Sequence, residues 1–326
     1  MNIDTLIISS GSTNGYIFIG ILKYLDEIKL LDNIKKYIGC SVGSILCFLL
    51  SINYSIKEIE ELVLDLDINK LLNDFNLNLL IKYKCIYNNY KIVKFLKELL
   101  IKKGINENIT LSEHYNLFNK KLTIIVSNIT SNKCEYISYK NYPNLKLWKG
   151  ILMSISIPLV FPYVIYNNCN YLDGALYDMI GILKIKQKYL NNNNILVITF
   201  INKDNKDNKD NKDNKDNKDN KDNKDNKDNK DNKDNIISDY LDINNFDKIY
   251  DLINYISKCS TTFINESSNN TKFILLNNYK YFYCYTNSIK KNNIYNYFNL
   301  IINKDNIINM ISDGYNYASS KKVDNI

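Results

Sequence analysis

Apolar residues along this chain fall into two spacings. Runs such as Thr5-Leu6-Ile7-Ile8 and Ile195-Leu196-Val197-Ile198-Thr199-Phe200 read as buried strands, whereas Ile17, Ile21, Leu22, Leu25 and Ile28 recur along one helix face. Strands are expected near residues 5–9, 36–39, 122–127, 134–139, 163–166, 169–172, 195–201 and 273–276. Helices are expected near Tyr16–Leu31, Val42–Ile52, Ile56–Leu66, Tyr90–Lys103, Leu145–Ser154, Phe246–Ser257 and Ile294–Met310. Because the two kinds of element alternate, the pattern predicts an α/β layer architecture.

One stretch contains no apolar position. From Asn202 to Asp234 the chain is eleven copies of Asn-Lys-Asp, in which lysine and aspartate charges cancel. Such a segment has nothing to bury, and asparagine and aspartate disfavour helix, so residues 202–235 are expected to form a disordered insertion. It follows directly after an apolar strand. We therefore expect residues 1–201 and 236–326 to form one catalytic domain, with the repeat as an interruption and not a boundary.

The punctuation between elements carries the chemistry. Gly39-Cys40-Ser41-Val42-Gly43 has the G-x-S-x-G form, led in by the strand-like Tyr37-Ile38 and led out by the apolar helix that starts at Val42. That is the strand, turn and helix of a nucleophile elbow, in which a serine hydroxyl is pushed out of a tight turn. Gly39 and Gly43 leave the room that the turn needs. Upstream, Ser9-Ser10-Gly11-Ser12-Thr13-Asn14-Gly15 links a strand to a helix and directs backbone amides toward an anion. No Lys-Ser or Lys-Thr follows Gly15, and Gly11, Gly15 and Gly20 lack dinucleotide spacing, so an oxyanion hole is the reading that survives.

Far downstream, Asp173-Gly174-Ala175 follows the strand-like Cys169-Asn170-Tyr171-Leu172 and offers a carboxylate base. Glycine is scarce, ten residues in all, and six of them, Gly11, Gly15, Gly20, Gly39, Gly43 and Gly174, fall in or just after these three motifs. The single histidine, His114, precedes Asp173 and lies in a polar run, where it is expected on the surface at a helix start and outside catalysis. A Ser-Asp dyad needs no histidine.

Taken together, the glycine-serine loop after the first strand, the elbow, Ser156-Ile157-Pro158-Leu159-Val160-Phe161-Pro162 ahead of Asp173, and Ile311-Ser312-Asp313-Gly314-Tyr315 near the C-terminus resemble the patatin-like phospholipase family, in its viral and microbial form. Here Ser10, Gly11 and Ser12 stand at the family's glycine positions, and Asn14 stands where it has a basic residue. The resemblance implies a three-layer α/β/α fold with a central, mostly parallel sheet. It implies Ser41 as nucleophile and Asp173 as base, with Gly174 and Ala175 completing the acid motif. Ser10, Gly11, Ser12, Asn14 and Gly15 would form the oxyanion hole, and Gly39, Val42 and Gly43 the elbow. The implied reaction cleaves fatty acyl esters of phospholipids or lysophospholipids through an acyl-enzyme, at a membrane surface, with no cofactor and no metal. Transacylation, or lipid binding and host interaction by a catalytically weak member, are the alternatives.

Composition narrows the partners. The net charge is +7, yet the chain has no arginine, the residue on which nucleic-acid readers rely, so nucleic acid is not an expected partner. Seven scattered cysteines without a C-x-x-C pair are expected to be reduced thiols, with Cys40 structural. Trp148 is expected in the core. Leu6-Ile7-Ile8 is too short for a signal peptide, and no apolar run reaches membrane-spanning length. The expectation is a cytoplasmic protein, not secreted, that meets membranes peripherally.

Overall fold

In a computed structural model of the chain, residues 3–72, 79, 83–181, 194–201, 280–285 and 304–321 are described. The repeat insertion, the helix expected at 246–257 and the strand expected at 273–276 lie outside these residues.

Among the described residues, eight strands form one sheet: β1 (Thr5–Ile8), β2 (Lys36–Cys40), β3 (Lys121–Asn128), β4 (Lys133–Ser138), β5 (Val164–Tyr166), β6 (Cys169–Asp173), β7 (Ile195–Ile201) and β8 (Lys280–Tyr285). The order is β5-β6-β3-β2-β1-β7-β8, with β4 also paired to β3. The pairs β3-β2, β2-β1, β1-β7 and β7-β8 are parallel, while β3-β4, β3-β6 and β5-β6 are antiparallel. Every residue of β1 is buried, as expected of a central parallel strand covered on both faces. The architecture is α/β, as the pattern of the chain predicts, with the mostly parallel sheet that the family resemblance implies.

The described helices are α1 (Gly15–Glu27), α2 (Val42–Ser51), α3 (Ile56–Asp65), α4 (Ile68–Leu71), α5 (Tyr90–Lys102), α6 (Leu111–Phe118), α7 (Leu147–Ile155) and α8 (Lys304–Ser320). Ser55 and Thr110 start α3 and α6 through reciprocal capping boxes with Glu58 and Glu113. The pattern of the chain did not predict α4, α6 or β8, and the first ten residues of the helix expected at Ile294–Met310 lie outside the described residues. Among the described residues, no helix is long and apolar enough to cross a membrane.

Helix α8 brings the C-terminal part of the described chain back onto α1. A Cβ on Gly20 would lie 1.9 Å from the carbonyl oxygen of Ile311, and one on Gly314 would lie 2.0 Å from that of Ile17. The two backbones meet through these glycines, and the pairing steadies the helix that follows the glycine-serine loop. His114 joins the interior, and Trp148 is half-buried against it. His114 is buried, not on the surface: α6 packs its ring beside Phe118 and within 3.0 Å of the Ser51 hydroxyl. Burial lowers its pKa to about 4, which keeps the ring neutral. Trp148 packs against the core with Lys97 Nζ 5.6 Å above its ring.

Candidate active site

The site is organised by one edge of β3. Strand β4 occupies the other edge from Thr123 to Asn128, so β2 and β6 share the remaining edge end to end. The last residue of β2, Cys40, pairs with Ile125, and the last residue of β6, Asp173, pairs with Val126. Two strands running in opposite directions therefore finish against neighbouring residues of β3. Their next chemical groups, Ser41 and the Asp173 carboxylate, converge.

Ser41 turns the chain sharply from β2 into α2, with φ 53° and ψ −126°. A residue with a side chain pays for a positive φ, and such strain at a sharp turn is typical of an elbow. The flanking glycines are forced by contact. A Cβ on Gly39 would lie 2.5 Å from the Cα of Ser44, and one on Gly43 would lie 2.2 Å from the carbonyl oxygen of Ile8. The Ser41 hydroxyl donates to Asp173 Oδ2 at 2.5 Å. The other carboxylate oxygen accepts from the Ala175 amide at 2.9 Å. Gly174 has no room for a side chain, because a Cβ there would meet the Ile125 carbonyl at 2.3 Å.

Both groups are largely shielded, Ser41 at 6% exposure and Asp173 at 4%. Burial is the main influence on Asp173 and pushes its pKa up from 3.8 to about 6, although the bonds from Ser41 and Ala175 pull the other way. Cys40 has no access to solvent, and burial together with the charges of Asp173 and Asp178 drives its thiol well above the ordinary range. It is therefore an unreactive neighbour of the nucleophile.

The glycine-serine loop lies against the elbow, since a Cβ on Gly15 would meet Val42 Cγ2 at 2.5 Å. Its amides are not equally available. That of Ser10 donates to the Met179 carbonyl at 2.9 Å, that of Asn14 to the Gly11 carbonyl at 2.9 Å, and that of Gly15 to Ser12. The amides of Gly11 and Ser12 have no protein acceptor among the described residues. Ser12 holds φ at 47°, the left-handed region that a glycine would occupy without strain. Of the five residues expected in an oxyanion hole, then, two keep amides to offer.

Several supporting residues escape inspection of the sequence. The Ser41 amide donates to Ser154 Oγ at 3.0 Å, and Ser154 donates onward to the Ile125 carbonyl at 2.7 Å. Ser127 Oγ donates to the Asp173 carbonyl at 2.7 Å, and the Asp173 amide donates to the Ser156 carbonyl at 2.9 Å. Asp178 accepts from Tyr136 OH at 2.6 Å and from the Gly181 amide at 2.7 Å, fixing the turn whose Met179 carbonyl holds the glycine-serine loop. The stretch Ser154-Ile155-Ser156 ahead of Pro158 was the available signal, yet nothing in it says which hydroxyl faces Ser41.

The fold and the motifs it gathers define an α/β protein whose strand-turn-helix serine faces a buried carboxylate. The patatin-like phospholipase family model matches residues 6–184, and the chain belongs to that family. It is similar to the probable lipid hydrolase 463L of Invertebrate iridescent virus 6, at 32% identity over 196 residues, which is 58% of this chain and 65% of that protein. Triacylglycerol lipase 5 of Saccharomyces cerevisiae is 30% identical over 172 residues, 48% of this chain and 22% of the yeast protein. The chain thus spans less than two thirds of the length of these relatives. Among solved structures, VipD of Legionella pneumophila aligns with a TM-score of 0.49 and 14% identity, covering 98% of this chain and 66% of that one.

Proposed function

We propose that this protein is a serine lipid acyl hydrolase that cleaves fatty acyl esters of phospholipids or lysophospholipids through a Ser41-Asp173 dyad. The observation that carries the reading is the 2.5 Å hydrogen bond from the Ser41 hydroxyl to a carboxylate that is 4% exposed and has a pKa raised to about 6. A carboxylate of ordinary acidity in water is too weak a base for a serine. Desolvation raises its proton affinity while leaving it ionised at neutral pH.

In the first half-reaction Asp173 takes the hydroxyl proton as Ser41 Oγ bonds to the ester carbonyl carbon. The carbonyl oxygen gains the negative charge, and the amides of Gly11 and Ser12, with that of Val42 at the start of α2, are the donors assigned to receive it. Collapse expels the lysolipid or alcohol, which takes the proton from Asp173, and leaves the fatty acyl group esterified to Ser41. Water then attacks the acyl-enzyme, giving up its proton to Asp173, and the fatty acid departs as Ser41 regains its hydrogen. Residues 1–201 and 236–326 act as one catalytic domain in this reading.

A fluorophosphonate probe tests it. Labelling of the wild-type chain that disappears in Ser41→Ala, with fatty acid released from defined phospholipids, is the expected result. A folded wild-type chain that neither labels nor releases fatty acid would refute the assignment.

A further inference from the structure

Strand β4 reaches across β3 to the turn that follows Asp173. Tyr136, Ile125 and Cys40 form one lateral row over β4, β3 and β2, so their side chains share a face of the sheet. On that side the Tyr136 hydroxyl donates to Asp178 Oδ2 at 2.6 Å. Asp178 Oδ1 accepts from the amides of Ile180 at 3.2 Å and Gly181 at 2.7 Å, and the Asp178 amide donates to the Gly174 carbonyl of the acid motif at 3.0 Å. Both oxygens of a carboxylate that is 1% exposed are thus engaged by neutral donors. A buried polar network satisfied in this way is rigid and admits a single geometry.

The residue after Asp178 carries that geometry into the glycine-serine loop. The Met179 carbonyl accepts from the Ser10 amide at 2.9 Å, and Ser9 Oγ donates to the Ser10 carbonyl at 3.0 Å, so Ser10 is held on both sides. Its carbonyl and the Gly11 N–H belong to one planar trans peptide and point in opposite directions; fixing the first aims the second. We propose that Asp178, braced by Tyr136, is a positioning residue: it fixes the turn whose Met179 carbonyl holds Ser10, and so sets the direction of the loop amides that receive the oxyanion. Its action is mechanical. The influences on the Asp173 carboxyl are burial, Ser41 and Ala175, and Asp178 is not among them. The catalytic part of this role rests on the hydrolase reading above, whereas the brace on the loop does not.

The test uses the full chain carrying Tyr136→Phe, Asp178→Ala or Asp178→Asn. On a soluble short-chain ester, Tyr136→Phe and Asp178→Ala should each lower kcat about 10- to 100-fold, because a misdirected oxyanion donor weakens the transition state far more than the bound ester. KM and the pH limb near 6 should stay where they are. The two residues act as one unit, so the double variant should lose no more than Asp178→Ala alone. Asp178→Asn should recover most of the loss, since its side chain still accepts from the Ile180 and Gly181 amides and donates to the Tyr136 oxygen. In hydrogen exchange read by mass spectrometry, the peptide containing Ser10 should exchange about tenfold faster in Tyr136→Phe and Asp178→Ala, while β3 keeps its protection. Full kcat in a folded Tyr136→Phe chain would overturn the proposal, as would a loss of kcat with Ser10 exchange unchanged. If the wild type neither labels with a fluorophosphonate nor cleaves the ester, the hydrolase reading falls, and exchange at Ser10 decides the brace by itself: faster exchange upholds it and unchanged exchange overturns it.

Discussion

The backbone amide of Ser41 donates to the hydroxyl of Ser154, 113 residues further along the chain, at a distance of 3.0 Å. Ser154 passes the bond on to the Ile125 carbonyl of β3. This hydroxyl thus holds the strained elbow to the strand that also aligns Asp173. Replacing it with alanine leaves a buried donor and a buried acceptor unsatisfied, at a cost of about 1–3 kcal/mol. Ser154→Ala should lower stability by that amount in urea titration and reduce kcat about 10- to 100-fold, with KM little changed. A variant that loses stability but keeps full kcat would show that Ser154 has no positioning role.

The raised pKa of Asp173 sets a pH dependence. If the ionised carboxylate is the base, kcat/KM should climb with pH along a limb centred near 6 and level off above it. Asp173→Asn should abolish the limb together with the activity.

The same shift has the opposite consequence for stability. Because the folded pKa lies above the unfolded value of 3.8, the stabilising contribution is complete below that value and is lost as pH rises through about 6. A two-unit shift corresponds to about 3 kcal/mol. Asp173→Asn should therefore be more stable than the wild type at pH 8, and the gap should close as the solution is acidified toward pH 4. Equal unfolding free energies at pH 8 would contradict the desolvation account.

Gly20 and Gly314 face neighbouring backbone, not flexible side chains. With the Ile311 oxygen 1.9 Å from where a Cβ would sit, Gly20→Ala can be accommodated only if α1 and α8 separate. The expected destabilisation is about 2–4 kcal/mol by thermal or urea unfolding. Gly314→Ala should behave alike, and the double variant should lose less than the sum, since either change already parts the helices.

Ser12 offers the reverse case. Its φ of 47° strains a residue with a side chain, so Ser12→Gly should stabilise the fold by up to about 1 kcal/mol, net of the entropy that glycine adds to the unfolded chain. A loss of stability would mean that the serine side chain has a compensating partner.

Deleting Asn202–Asp234 should preserve both the melting temperature and esterase activity. The repeat has no apolar side chain to contribute to a core.

Much of the scaffold was legible in the chain. Apolar runs and helical spacing marked seven of the strands and most helices within a few residues, because both signals are local and depend on burial of one face. Helix α6 escaped because its Leu-Ser-Glu-His-Tyr-Asn-Leu-Phe sequence is short and half polar, and is held in place by the Thr110 capping box and by a buried histidine. His114 illustrates the same limit: its type suggests a surface, but tertiary packing against Ser51 and Phe118 encloses it.

What the chain determined by itself is local: a serine between two glycines at a strand-helix junction, an aspartate before glycine, and a loop rich in glycine and serine. Each is a property of a few consecutive residues whose backbone demands are written in their side chains. Only the tertiary structure decided that β2 and β6 end against adjacent residues of β3, that the hydroxyls of Ser127 and Ser154 serve the site, and that Gly11 and Ser12 keep free amides while Ser10, Asn14 and Gly15 spend theirs. Those relations join residues far apart along the chain, and their geometry follows from strand register and core packing, which no short stretch of sequence encodes.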